Sequence, residues 1–155
     1  MNRTLIPLDI TTTKIRMKNN APLEDLEADL IETCKYIASL EEANRVKDFE
    51  KAKKIIYMDK YEYYPEENIV FIVFTSARYA KSRKVIDTKT LKDKGVLKGI
   101  DDGDEEKTHI VIRFDWEENR GVCIFERNSD GIGVTQLFEY LNEFIFKYHE
   151  TKKDF

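Results

Sequence analysis

Imidazole titrates near neutrality and is the commonest general acid and base, so His109 and His149, the only two histidines, are the first residues to weigh. They stand in T-H-I-V and Y-H-E-T, late in the chain, where a two-histidine phosphoesterase would carry its pair. Such enzymes hold phosphate oxygens with a hydroxyl two residues beyond each histidine. Thr151 meets that requirement for His149, but Val111 stands where His109 needs a hydroxyl. His149 is also close to the C-terminus, where fraying would spoil its positioning. Both therefore read as structural or surface histidines.

The acidic run Asp101, Asp102, Asp104, Glu105 and Glu106 offers hard oxygen ligands. Counted from Asp101 or Asp102, it has neither the glycine nor the closing glutamate of a calcium loop, and it reads as a solvated turn that discourages edge-to-edge strand pairing. Asp115, Glu117 and Glu118 surround Trp116 in an expected hairpin turn, and nothing in the spacing makes any two converge. No Ser, Cys or Lys stands in a nucleophile motif. Gly131 and Gly133 match neither the phosphate-loop nor the dinucleotide spacing, and backbone freedom before a helix is their expected use. No catalytic, metal or cofactor site is therefore assigned.

Charge is the stronger signal. Between Arg78 and Lys98 eight bases face only Asp87 and Asp93, a local balance of +6, with Tyr79 beside the first of them. Clustered cations beside an aromatic ring are what a phosphate backbone with stacked bases requires. Arg78, Lys81, Arg83, Lys84, Lys89 and Lys92 are the candidate nucleic-acid contacts. Against this stand an overall pI of about 5.4, a stretch from Pro22 to Ala43 with a balance of −6, and the run DDGDEE. Either acidic segment could neutralise the basic one within the molecule.

The elements that must position these residues follow from hydrophobic period. A strand is expected from about Asp9 to Met17, with Pro7 demoting its beginning. Pro22 suits a first helical turn, and Leu23, Leu26, Leu30, Cys34, Ile37 and Leu40 then make an amphipathic helix of about five turns. EEANRVKDFEKA extends that helix or forms a second short one. KIIYMDKYEYY and NIVFIVFTS predict a hairpin whose second strand is buried on both faces. The basic segment is a connection with a short strand or helical turn, HIVIRFDW and GVCIFERN form a second hairpin, and Thr135 or Asp130 caps a last helix. Its apolar stripe runs from Val134 to Tyr148, and the tail HETKKDF is expected to fray. Phe71, Val73, Ile112, Cys123, Phe125, Leu137, Leu141 and Phe144 form the expected core.

These elements give a single α+β domain over residues 1–155, with an antiparallel sheet of about five strands, a long helix in the N-terminal half and a C-terminal helix packed on one face. Cys34 and Cys123 both lie in apolar surroundings and read as reduced core residues. The N-terminus has no uninterrupted apolar segment of the signal-peptide kind, and no stretch approaches the roughly 18 apolar residues of a membrane span. A cytoplasmic protein with no membrane partner is expected.

From Phe71 to Leu141 the order of features is an apolar strand ending in F-T, a basic connection, an acidic turn, and an apolar hairpin ending in C-I-F-E-R. A small-residue loop then enters a T-x-L-F-x-x-L helix. This layout resembles the N-terminal domain of the RexA family of phage-exclusion proteins and related abortive-infection proteins. The resemblance implies a DNA-binding, self-associating defence module with no known catalytic centre, and family members carry a second domain after this one. The leading expectation is a phage-defence binding domain that contacts nucleic acid, a phage component or an effector protein. A protein–protein interaction inhibitor, such as a phage-encoded anti-defence protein, is the alternative. A phosphodiesterase or nuclease with a site invisible in sequence is the third.

Overall fold

Alternating apolar residues in the middle and late chain fold into two long antiparallel hairpins, and these join into one sheet. The computed structural model describes residues 3–11, 26–79, 83–98, 104–115 and 120–153; for 11, 26–29, 83–86, 94, 96–98 and 153 only the backbone course is described. In chain order the elements are β1 (Thr4–Thr11), α1 (Leu26–Ser39), β2 (Lys47–Phe49), β3 (Lys54–Tyr64), β4 (Ile69–Arg78), β5 (Arg83–Ile86), β6 (Asp93–Lys98), β7 (Asp104–Asp115), β8 (Arg120–Arg127) and α2 (Val134–Lys153). Among the described residues, six strands form an antiparallel sheet in the order β1-β8-β7-β4-β3-β2, while β5 and β6 pair with each other in a separate two-stranded sheet.

The α+β class and the two helices agree with the sequence reading; the strand count does not. β1 begins at Thr4 and includes Pro7, which pairs in register with Ile124. Proline is tolerated there because β1 stands at the edge of the sheet formed by the described residues, where a missing N–H costs no ladder bond on the outer side. The continuation of β1 toward Met17, together with Pro22 and Leu23, lies outside the described residues. The undecided stretch after α1 is neither helical extension nor second α-helix. Two short 3-10 turns, Glu42–Arg45 and Glu50–Ala52, flank the three-residue β2.

One face of the sheet holds the core. Val70, Ile72 and Phe74 of β4, Ile110, Ile112 and Phe114 of β7, and Cys123 and Phe125 of β8 meet Leu30, Cys34 and Ile37 of α1 and Leu137, Tyr140, Leu141 and Phe144 of α2. Phe71 and Val73 do not join this core. Successive strand residues alternate between faces, so with Val70, Ile72 and Phe74 turned to the helices, Phe71 and Val73 face the opposite side. Val73 is nevertheless buried there. Its register partners are Lys60 and His109, whose side chains flank it on the open face.

The acidic run is also placed differently. Asp104, Glu105 and Glu106 are not a turn; they begin β7 and pair with Arg78, Ala77 and Ser76 of β4. Asp101 and Asp102 lie outside the described residues. The tail from His149 is helical as far as Lys153.

Neither Thr135 nor Asp130 supplies the helix cap. Gly133 precedes the first helical residue, and its N–H donates to Gln136 Oε1 at 3.0 Å, the reciprocal half of a capping box. Gly131 is required by close approach rather than by backbone freedom. A Cβ there would stand 2.5 Å from Asn128 Oδ1 and 2.6 Å from Thr108 Oγ1.

Cys34 and Cys123 are both free and fully buried, and burial pushes both thiols up to about 12. Because the thiolate is the nucleophile, native protein should react with a thiol reagent at least tenfold more slowly than protein unfolded in denaturant. Rapid modification of either cysteine under native conditions would contradict the buried assignment.

Candidate nucleic-acid interface

The basic segment is built as a hairpin on a pinned root. Arg78 closes β4, lying in register between Lys54 of β3 and Asp104 of β7. The next residue is anchored twice, as Tyr79 N–H donates to the Lys53 carbonyl at 2.9 Å and its hydroxyl to Asp48 Oδ1 at 2.8 Å. The Lys53 ammonium stands 6.0 Å from the Tyr79 ring centroid, within reach of a cation–π interaction. Lys81 lies outside the described residues.

Beyond this root, β5 and β6 pair as Arg83 with Lys98, Lys84 with Val96 and Ile86 with Asp93, and the register shifts twice in this short span. Such irregularities bend the strand and increase its twist, and they explain why no period of two was visible in the sequence. The segment is therefore a two-stranded ribbon: the short strand expected in this connection is present, and a second strand pairs with it. Residues 83–98 carry six bases and two acids.

Both acids serve the ribbon's own turns. Asp87 Oδ1 accepts from the N–H groups of Lys89 and Thr90 at 2.8 and 2.9 Å, and its backbone bonds Lys92 and Leu91 across the tip. Asp93 Oδ1 accepts from the Gly95 N–H at 2.7 Å, and Gly95 takes a φ of +101° that suits glycine. Lys89 and Lys92 flank the tip, both exposed, and no described carboxylate lies within salt-bridge distance of either ammonium. The structure thus brings Lys89 and Lys92 together at the tip, sets Arg83 and Lys84 on the first strand, and leaves Arg78 at the root.

Three of the described acids that might have neutralised this ribbon are paired elsewhere. Glu32 of α1 holds Lys35 at 2.9 Å, Glu105 holds Lys107 at 3.1 Å, and Glu106 lies 3.5 Å from Arg3.

A polar cluster on the open face of the sheet was not anticipated. Glu126 Oε2 accepts from the His109 backbone N–H at 3.0 Å and lies 2.7 Å from its Nδ1, while Arg3 reaches Oε1 at 2.9 Å. Burial acts to raise the Glu126 carboxyl, but the His109 ring, the His109 N–H and Arg3 together outweigh it and hold the carboxyl below its usual range. His109 also stacks on Phe71, with ring centroids 5.9 Å apart. Nearby, the Lys107 ammonium joins Asp59 at 2.6 Å and Thr75 Oγ1 at 3.3 Å. A carboxylate-held imidazole is half of a general-base arrangement. Its ring partner is the Glu126 carboxylate, and His149 lies on α2, the helix that packs on the opposite, core face of the sheet. The structure does not bring His109 and His149 together.

The other face holds one buried amine. Lys54 donates to the Gly131 carbonyl and stands 3.4 Å from Gln136 Oε1, fastening the loop before α2 to the start of β3. Burial foremost, then the Arg78 charge, lowers its affinity for a proton, against a smaller opposite effect of Asp130. Among the described residues, no group of three His, Cys, Asp or Glu could hold a metal ion, and no helix is long and apolar enough to cross a membrane. Trp116, Glu117 and Glu118 lie outside the described residues. No protein-family model, curated protein or solved structure matches this chain.

Proposed function

We propose that this chain is a nucleic-acid-binding domain that grips the phosphate backbone with its basic β-hairpin. The supporting observation is the hairpin itself: a separate ribbon, rich in Lys and Arg, whose tip lysines are exposed and whose acids are bonded into its own turns. Phosphate contacts of this kind position a protein without reading bases. The phage-exclusion setting is proposed from the sequence resemblance alone, and self-association belongs to the same proposal.

Electrophoretic shifts with duplex and single-stranded DNA and RNA at about 50 and 200 mM salt test this reading. If four of the hairpin cations meet phosphates, affinity should fall about a hundredfold over that range, since each contact releases counterions. Replacing Arg83, Lys84, Lys89 and Lys92 together by Ala should flatten the salt dependence and weaken binding to all sequences alike, with the thermal midpoint little changed. A folded sample that shifts no probe at the lower salt would refute the proposal and favour the protein-interaction alternative.

A further inference from the structure

Among the described residues, Leu91 is the most exposed large apolar side chain, at 73%. It sits at the tip of the basic hairpin, between Lys89 and Lys92. Its backbone is left-handed, with φ of +56°, a conformation that glycine or asparagine adopts far more readily than leucine. The turn that imposes it is well tied: Leu91 N–H donates to the Asp87 carbonyl at 2.7 Å, the Asp87 N–H to the Lys92 carbonyl at 2.9 Å, and the Asp87 carboxylate takes two further N–H groups. The tip is therefore a braced turn that holds one aliphatic side chain out in water with a lysine on either side. Packing within the fold explains neither the residue type nor its position.

We infer that Leu91 is a wedge that the hairpin inserts between stacked base pairs of duplex DNA, kinking the duplex while Lys89 and Lys92 hold the phosphates beside it. This rests on the nucleic-acid reading above and names its ligand. The chemistry favours duplex DNA over a single strand. Single-strand binders stack successive bases on aromatic rings, whereas a lone aliphatic side chain serves to unstack one step, as apolar wedges at DNA kinks do. A two-stranded ribbon also fits a groove of B-DNA, whereas the deep, narrow major groove of A-form RNA excludes it.

The test compares the full chain with Leu91→Gly and Leu91→Met on a short duplex DNA carrying a fluorophore at each end, so that bending raises energy transfer. Glycine suits the +56° backbone, so Leu91→Gly removes the wedge without disturbing the turn, and its thermal midpoint should match or slightly exceed that of the parent. The parent and Leu91→Met should bend the duplex. Leu91→Gly should bind within about threefold of the parent, because the phosphate contacts remain, yet lose most of the added energy transfer. Equal bending by Leu91→Gly and the parent would overturn the wedge while leaving phosphate binding intact. Absence of any duplex binding by the parent would remove the underlying reading and the wedge with it. A third arm uses vesicles of phosphatidylserine and phosphatidylcholine. Leu91-dependent vesicle binding, without Leu91-dependent bending, would overturn the inference in favour of an anionic membrane surface.

Discussion

Above pH 10 the domain should lose about 4 kcal/mol of stability for each further pH unit, and it should unfold before pH 12. Three buried acids cause this. Burial pushes the Cys34 and Cys123 thiols from 9.0 up to about 12. Burial also lifts the Tyr140 phenol well above its ordinary 10.0, against a smaller opposite effect of the Met58 N–H that bonds its oxygen. In the unfolded chain each group gives up its proton near its ordinary value, whereas the folded chain retains it. The folded state then binds more protons, so stability that is complete below pH 9 is lost as pH rises toward the folded values. Each group contributes about 1.4 kcal/mol per pH unit, and a total stability of roughly 5–15 kcal/mol cannot outlast three of them for long.

Lys54 acts with the opposite sign. Its ammonium is disfavoured in the fold, so below its ordinary 10.5 the unfolded chain binds more protons and stability rises with pH. One such group offsets only part of the effect of three. Far-ultraviolet circular dichroism followed from pH 8 to 12 measures the net slope. The Cys34→Ala, Cys123→Ala double variant removes two of the three acids, so its curve should be markedly shallower and its midpoint higher. Parallel curves for parent and variant would show that the thiols are not held protonated by the fold.

Both cysteines were legible in the sequence as core residues because Cys34 stands in an apolar helical stripe and Cys123 in the apolar run GVCIF, and the hairpins and the α2 stripe were legible from their runs of apolar strand formers and their helical period. The core face of β4 was not. Ile69, Phe71 and Val73 are as apolar as Val70, Ile72 and Phe74, so no polar face marks which set turns inward, and register decides it. β2, of three residues, is too short to show a period, and the two register shifts in the β5–β6 ribbon erase the alternation that would have identified it. Carboxylates at the start of β7 suggested a turn; they tolerate a central strand because Lys107 and Arg3 meet them from other positions. The His109–Glu126 pair follows from continuing the β7–β8 register one step beyond Ile110 and Phe125. It could have been found from the sequence had the pairing of Asp115 with Arg120 been known in advance. The basic charge of the ribbon is plain in the sequence, but the exposure of the leucine at its tip is not, since only the turn geometry sets Leu91 apart from the short apolar knots around it.

Replacing Phe144 by Ala should cost about 3–5 kcal/mol, the largest loss expected of any single substitution considered in the core. Its ring is fully buried, 4.6 Å from the Tyr140 ring centroid, and the Lys147 ammonium caps its other side at 4.6 Å. Tyr140 in turn meets Phe74 of the sheet edge-on at 5.1 Å, so these three rings are the packing that fixes α2 on β4. Tyr140→Phe separates packing from hydrogen bonding at the same place. It keeps the ring but leaves the Met58 N–H without its acceptor and the Arg45 carbonyl without its donor, a loss of about 1–3 kcal/mol. Urea denaturation should rank the variants with Phe144→Ala lowest, Tyr140→Phe between it and the parent, and Phe144→Leu above Phe144→Ala because less of the cavity opens. A Phe144→Ala loss smaller than that of Tyr140→Phe would mean that α2 is held by the two tyrosine hydrogen bonds, not by the packed rings.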